Sequence, residues 1–97
     1  MSELDKIKKT LKQNKQDLRR EFKVKALGVF GSYVRGEQKK NSDVDILVDF
    51  SKTPGLFGYM KVENRLSDIL HKKVDLVMKG ALRPRIGKNI MREVVYV

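Results

Sequence analysis

The segment Val24-Lys25-Ala26-Leu27-Gly28-Val29-Phe30-Gly31-Ser32, followed after ten residues by Asp43-Val44-Asp45-Ile46-Leu47-Val48, decides the fold. Val24 to Phe30 is apolar and β-branched after an alternating start, and it stops at a glycine, the pattern of a buried strand. Ser32 is placed to cap a short helical turn reaching about Glu37. Gly36 to Ser42 is polar and rich in turn formers, and it leads into a second strand, Val44 to Val48.

Upstream of this unit, Ser2 and Asp5 resemble a capping box, and Leu4, Ile7, Leu11, Leu18 and Phe22 recur at helical spacing, which predicts a helix from about Glu3 to Glu21. Lys8, Lys9, Lys12, Lys15 and Arg19 lie on its other faces. They form either a phosphate-binding surface or a solvated face, and solvation is the ordinary role of such a charge pattern. Downstream, Ser51 to Gly55 is a loop, and the spacing of Tyr59, Val62, Leu66 and Ile69 predicts a second long helix. Val74 to Met78 is a third strand. Pro84 suits the first turn of a last helix running through about Arg92, with Gly87 inside it a weak point, and Val94 to Val97 can add a short strand. The order predicts an α/β (α+β) domain, a small mixed β-sheet packed against helices, occupying residues 1–97 as a single unit.

Lys and Arg total 22 against 12 Asp and Glu, a net charge of +10 that favours phosphate-bearing ligands, nucleic acid or an acidic partner. The excess is concentrated between Lys6 and Lys25 and between Lys79 and Arg92, on either side of the acids discussed next. Cysteine is absent, which removes disulfides and thiolate metal sites. No apolar run approaches the roughly 20 residues that span a bilayer, and Met1 to Asp5 lacks the apolar core of a secretory signal, so the expectation is a cytoplasmic protein without membrane attachment.

Side chains alternate along a strand, so Asp43 and Asp45 project from one face while Val44, Ile46 and Val48 project from the other. Like charges so placed are costly unless a cation or water separates them, and hard oxygen ligands on a rigid strand suit Mg²⁺. Asp75 repeats the anomaly by interrupting the apolar run Val74-Leu76-Val77-Met78. If the second and third strands are neighbours, Asp75 joins the pair in a three-carboxylate cluster, the equipment of a two-metal phosphoryl-transfer site with ions about 3.5–4 Å apart. Taken singly, Asp43 reads as a turn cap and Asp75 as a solvated edge residue. The three together, behind a Gly–Ser turn, reverse that reading.

Gly31-Ser32 follows a strand and opens a helix, a geometry that directs backbone N–H groups and a hydroxyl at an anion such as a triphosphate. Gly31 to Gly36 has the glycine spacing of a P-loop, but Glu37 and Gln38 stand where that motif requires Lys and Ser or Thr. A dinucleotide-binding glycine fingerprint is also absent.

Gly31-Ser32 with Asp43-x-Asp45 ten residues on resembles the signature of the DNA polymerase β-like nucleotidyltransferase superfamily. The fuller run Phe30 to Glu37 with Ser42 to Val48 is similar to its minimal nucleotidyltransferase (MNT) branch, and Lys73-Val74-Asp75-Leu76-Val77 resembles the third motif. The match extends from about Leu27 to the end. The resemblance implies the nucleotidyltransferase fold, with Gly31 and Ser32 on triphosphate oxygens and Asp43 and Asp45 on metal ions. Asp75 is implied to complete the metal site and to assist deprotonation of the acceptor hydroxyl. Arg35 and Glu37 also match motif positions, Arg35 in a phosphate-binding or structural ion-pair role. His71 departs from the pattern, since relatives often have Gly there; a His near a helix end more often serves the helix dipole than catalysis. Tyr33, Tyr59 and Tyr96 read as packing residues.

The chain ends soon after the third motif, so the acceptor is expected on another molecule. The resemblance points to the antitoxin of HEPN/MNT toxin–antitoxin pairs and implies two Mg²⁺ ions in the superfamily pattern, with ATP used to adenylylate a tyrosine of a HEPN ribonuclease toxin encoded by the adjacent gene. Two alternatives stand beside it: an antitoxin acting by contact alone, and nucleotidyl transfer to a small molecule or an RNA end. The carboxylate cluster argues against the first. Nucleic acid as partner is permitted by the charge but not favoured, for want of an aromatic stacking platform.

Overall fold

A computed structural model describes residues 2–97. Its elements are α1 (Glu3–Phe22), β1 (Val24–Phe30), α2 (Ser32–Arg35), β2 (Val44–Phe50), α3 (Leu56–Leu70), β3 (Val74–Met78), a 3₁₀ turn (Lys79–Ala81), α4 (Pro84–Glu93) and β4 (Val95–Tyr96). The order anticipated from the sequence is the order observed. Ser2 Oγ accepts the Asp5 N–H at 3.1 Å to start α1, and Lys23, at φ 61°, ends it in the left-handed conformation.

The four strands form one mixed sheet in the order β3-β2-β1-β4. β1 runs antiparallel to β2 and to β4, whereas β2 and β3 are parallel and joined by α3, since parallel neighbours require a crossover. One sheet face presents Leu27, Val29, Val44, Ile46, Val48, Val74 and Leu76 to Ile7, Leu11 and Leu18 of α1 and to Val62, Leu66 and Leu70 of α3. Burying each such side chain stabilises the fold by roughly 1.5–3 kcal/mol, so this layer carries most of the hydrophobic stabilisation. On the other face Phe30 and Leu47 meet Ile90 of α4, joined by Val77, Leu82 and Val94. That face is only partly covered, and the acids lie on its open end.

Three local expectations are corrected. Ser32 does not cap α2 but is its first residue, and Gly31 is the cap, at φ 80° and ψ −151°, a conformation that only glycine adopts without strain. Asp43 lies just ahead of β2 rather than within it, although the Val44 N–H bonds the Lys73 carbonyl at 2.9 Å and extends the ladder almost to it. α3 begins a turn earlier than its apolar spacing suggests, because Leu56 and Phe57 project beyond the core at 71% and 77% exposure and leave no burial pattern to read. Among the described residues no helix is long and apolar enough to cross a membrane.

Candidate active site

Asp45 and Asp75 are register partners on the parallel pair β2–β3, which puts both carboxylates on the α4 side of the sheet. Asp43, just ahead of the strand, lies near enough for its charge to act on Asp45. Across the antiparallel pair Asp45 faces Phe30, the residue before the glycine turn. A Cβ on Gly31 would run into the Asp45 carboxylate, so the absence of a side chain at 31 is what lets the turn and the acid touch.

These neighbours are recorded in the Asp45 acidity. Burial, then the charges of Asp75 and Asp43, push its pKa above the ordinary carboxylate range, with Glu93 adding to the rise and Arg35 opposing it. Hard oxygen donors whose charges oppose one another are the donor set that a divalent cation relieves, so Asp43, Asp45 and Asp75 fit Mg²⁺. The three acids share this region, but among the described residues no three such side chains converge closely enough to hold an ion as they stand, unlike the cluster expected from the sequence.

The loop delivering Asp43 is tied down by Ser42, whose Oγ accepts the Lys39 N–H at 2.8 Å and whose carbonyl accepts the Tyr33 hydroxyl at 3.4 Å. A cavity of about 300 Å³ opens beside Asp43, lined also by Lys40, His71, Lys72 and Lys73. His71 is the C-cap of α3 at φ 54°, the left-handed conformation that glycine takes most easily, so the backbone here favours the Gly of the family pattern over His. At the free edge of β3, Tyr59 donates its hydroxyl to the Leu76 carbonyl and Glu63 accepts the Leu76 N–H at 3.3 Å, so α3 covers an otherwise open strand edge.

Glu93, the last residue of α4, was not apparent as a site residue from the sequence. Its carboxylate accepts the Gly31 N–H at 2.7 Å and the Arg35 guanidinium at 3.0 and 3.1 Å. Arg35 also reaches Glu37 at 3.4 Å, and these two acids raise its pKa, the Glu93 hydrogen bond foremost. Of the two roles anticipated for Arg35, an ion pair is the one visible here. The available signal was an acid closing a basic helix, against the helix dipole.

A family model described as a nucleotidyltransferase domain matches residues 4–97. The chain belongs to the nucleotidyltransferase domain family. It is 50% identical, over 97 residues covering all of this chain and 98% of the relative, to the protein adenylyltransferase MntA of Thermococcus cleftensis. A solved structure described as a minimal nucleotidyltransferase superposes with a TM-score of 0.78 at 27% identity, covering 98% of this chain and 95% of that one. A toxin–antitoxin crystal structure with AMP-PNP gives 0.72 at 26% identity, covering 87% of this chain and 69% of that one. The nucleotidyltransferase fold expected from the Gly31-Ser32 and Asp43-x-Asp45 spacing is therefore the fold of this chain.

Proposed function

We propose that this single minimal domain is a cytoplasmic antitoxin that transfers AMP from ATP to a tyrosine hydroxyl of a HEPN-type toxin, encoded by the adjacent gene. The observation that carries the reading is the Asp45–Asp75 register with Gly31 backed against Asp45, because it gathers acids and anion-binding turn at one end of one sheet face. The similarity to a protein adenylyltransferase and to a toxin–antitoxin structure supports the choice of chemistry and partner.

Asp43, Asp45 and Asp75 would hold Mg²⁺, whose positive charge, when bound, offsets negative charge on the transferred phosphoryl group. The Ser32 hydroxyl and the N–H groups of Ser32 and Tyr33, first in α2 and without intrahelical carbonyl partners, are the donors offered to the triphosphate. Arg35 supports the same turn. The tyrosine oxygen attacks the α-phosphorus, the bond from that phosphorus to the bridging oxygen breaks, and pyrophosphate leaves on the opposite side. Asp75, the most exposed of the three acids, would assist removal of the hydroxyl proton.

The test mixes the protein with Mg²⁺, α-labelled ATP and the neighbouring gene product, with Asp43→Asn alongside. Label transfer by wild type alone supports the reading; transfer by both or by neither overturns it.

A further inference from the structure

α4 ends on an acid in a place where local electrostatics oppose one. A helix C-terminus carries partial negative charge, so an acidic last residue is disfavoured, and Glu93 also adds its charge to the field at Asp45. The geometry shows what offsets this. Glu93 Oε1 takes the Gly31 N–H at 2.7 Å, and both carboxylate oxygens take Arg35 Nη1 at 3.1 and 3.0 Å. These are charge-assisted bonds; the Glu93 side chain is 25% exposed, and its bond from the Gly31 N–H is part-buried.

The segment that carries Glu93 is anchored on both sides of that residue. Ile90, one turn earlier, is buried against Phe30 and Leu47. Val94, the next residue, packs over Gly28, where an added Cβ would lie 2.5 Å from Val94 Cγ2. β4 then pairs with β1 at Gly28 and Val29, immediately before the turn. The end of the chain is thereby fastened to the strand that presents Gly31, and the carboxylate arrives at a fixed place.

We propose that Glu93 is a positioning residue for the nucleotide. By taking the Gly31 N–H it holds the turn at φ 80° and ψ −151°, which keeps Gly31 against Asp45 and fixes the backbone that leads into Ser32. Arg35 offsets part of the negative charge of Glu93 and Glu37, and the N–H groups of Ser32 and Tyr33 remain as donors to an anion. Glu93 itself touches neither nucleotide nor acceptor. This rests on the nucleotide-binding role proposed above for Ser32 and Tyr33.

The test titrates the full chain, by calorimetry with Mg²⁺, with a non-hydrolysable ATP analogue, and follows Gly31 amide hydrogen exchange by NMR. Glu93→Ala should weaken binding about tenfold, the scale of a lost charge-assisted hydrogen bond, and speed Gly31 exchange. In transfer assays KM for ATP should rise while kcat holds, because the tail is bound alike in ground and transition states. Glu93→Gln, which keeps a carbonyl acceptor for the Gly31 N–H, should recover most of the affinity. A folded Glu93→Ala protein that binds the analogue as well as wild type, or more tightly, overturns the proposal, the tighter result marking Glu93 as a stand-in for phosphate. If Glu93→Ala does not fold, Glu93→Gln and Glu93→Asp decide: affinity ordered wild type, Gln, Asp supports it, and equal affinities overturn it. A wild-type chain that binds no nucleotide sinks the parent reading before any variant is compared.

Discussion

Asp45 and Asp75 stand opposite each other across the parallel pair β2–β3, two like charges at adjacent register positions on a partly covered sheet face. Like charges directly opposed on neighbouring strands are destabilising. Without divalent cation, Asp45→Asn should therefore raise the thermal midpoint at neutral pH. Transfer by the same variant should fall by about 10²–10³-fold, the scale of a lost electrostatic contact to the transition state. Calorimetric melts beside a transfer assay check both, and a midpoint that falls would contradict the first.

The pH dependence follows from the same pair. The Asp45 pKa is raised by burial and by Asp75 and Asp43, so the folded state holds its proton more tightly than the unfolded chain does. The relative stability this brings is fully present below the ordinary carboxylate pKa and is lost as pH rises through the raised folded value. Metal-free wild type should lose stability across that window more steeply than Asp45→Asn. Denaturant midpoints measured at several pH values, with the two proteins compared, give the slopes.

Mg²⁺ should reverse the penalty. A cation that binds only the folded state stabilises it by RT ln(1 + [L]/Kd), so wild type should gain about 2.7 kcal/mol at a hundredfold excess over Kd. Asp45→Asn and Asp75→Asn should gain far less. Thermal melts across a Mg²⁺ titration distinguish this from a general salt effect, which Na⁺ at matched ionic strength would reproduce.

Gly31→Ala should be among the more damaging single-methyl additions in the chain. The new Cβ meets the Asp45 carboxylate, and φ 80° with ψ −151° is strained for any side chain. A cost of about 1–3 kcal/mol is expected. Gly36→Ala offers a control, since φ is 71° but no atom lies within 4 Å of the added Cβ. Equal losses at the two positions would show that backbone strain, not the contact with Asp45, sets the cost.

Ile90→Ala should loosen α4 by about 2–5 kcal/mol, the usual range for emptying a buried aliphatic site. Because Glu93 lies one turn later, the Gly31 amide should exchange faster in that variant even well below its unfolding midpoint. Exchange rates unchanged at Gly31 would show that α4 and the turn are not mechanically linked.

Three strands and the long helices were legible because each carries its own periodicity. Val24 to Phe30 becomes a continuous apolar run after Lys25, Val74 to Met78 is apolar except at Asp75, and Ile7, Leu11 and Leu18 repeat on one side of α1. The first turn of α3 was not legible, since Leu56 and Phe57 bury nothing and so follow no pattern. Asp43 and Asp45 were readable as a pair because two residues along the chain keep their charges near each other, whatever the rest of the chain does.

Asp75 could only be placed conditionally. Its position beside Asp45 depends on β3 pairing in parallel with β2, and α3 packing on the sheet is what sets that register. Glu93 is further removed: 62 residues separate it from Gly31, and no local pattern links them. The sequence by itself determined the elements, the glycine turn and the paired acids, because short-range sterics and alternation act between residues close along the chain. Tertiary structure alone brought Asp75 level with Asp45 and Glu93 onto the Gly31 N–H, because those meetings depend on how the core closes around the sheet.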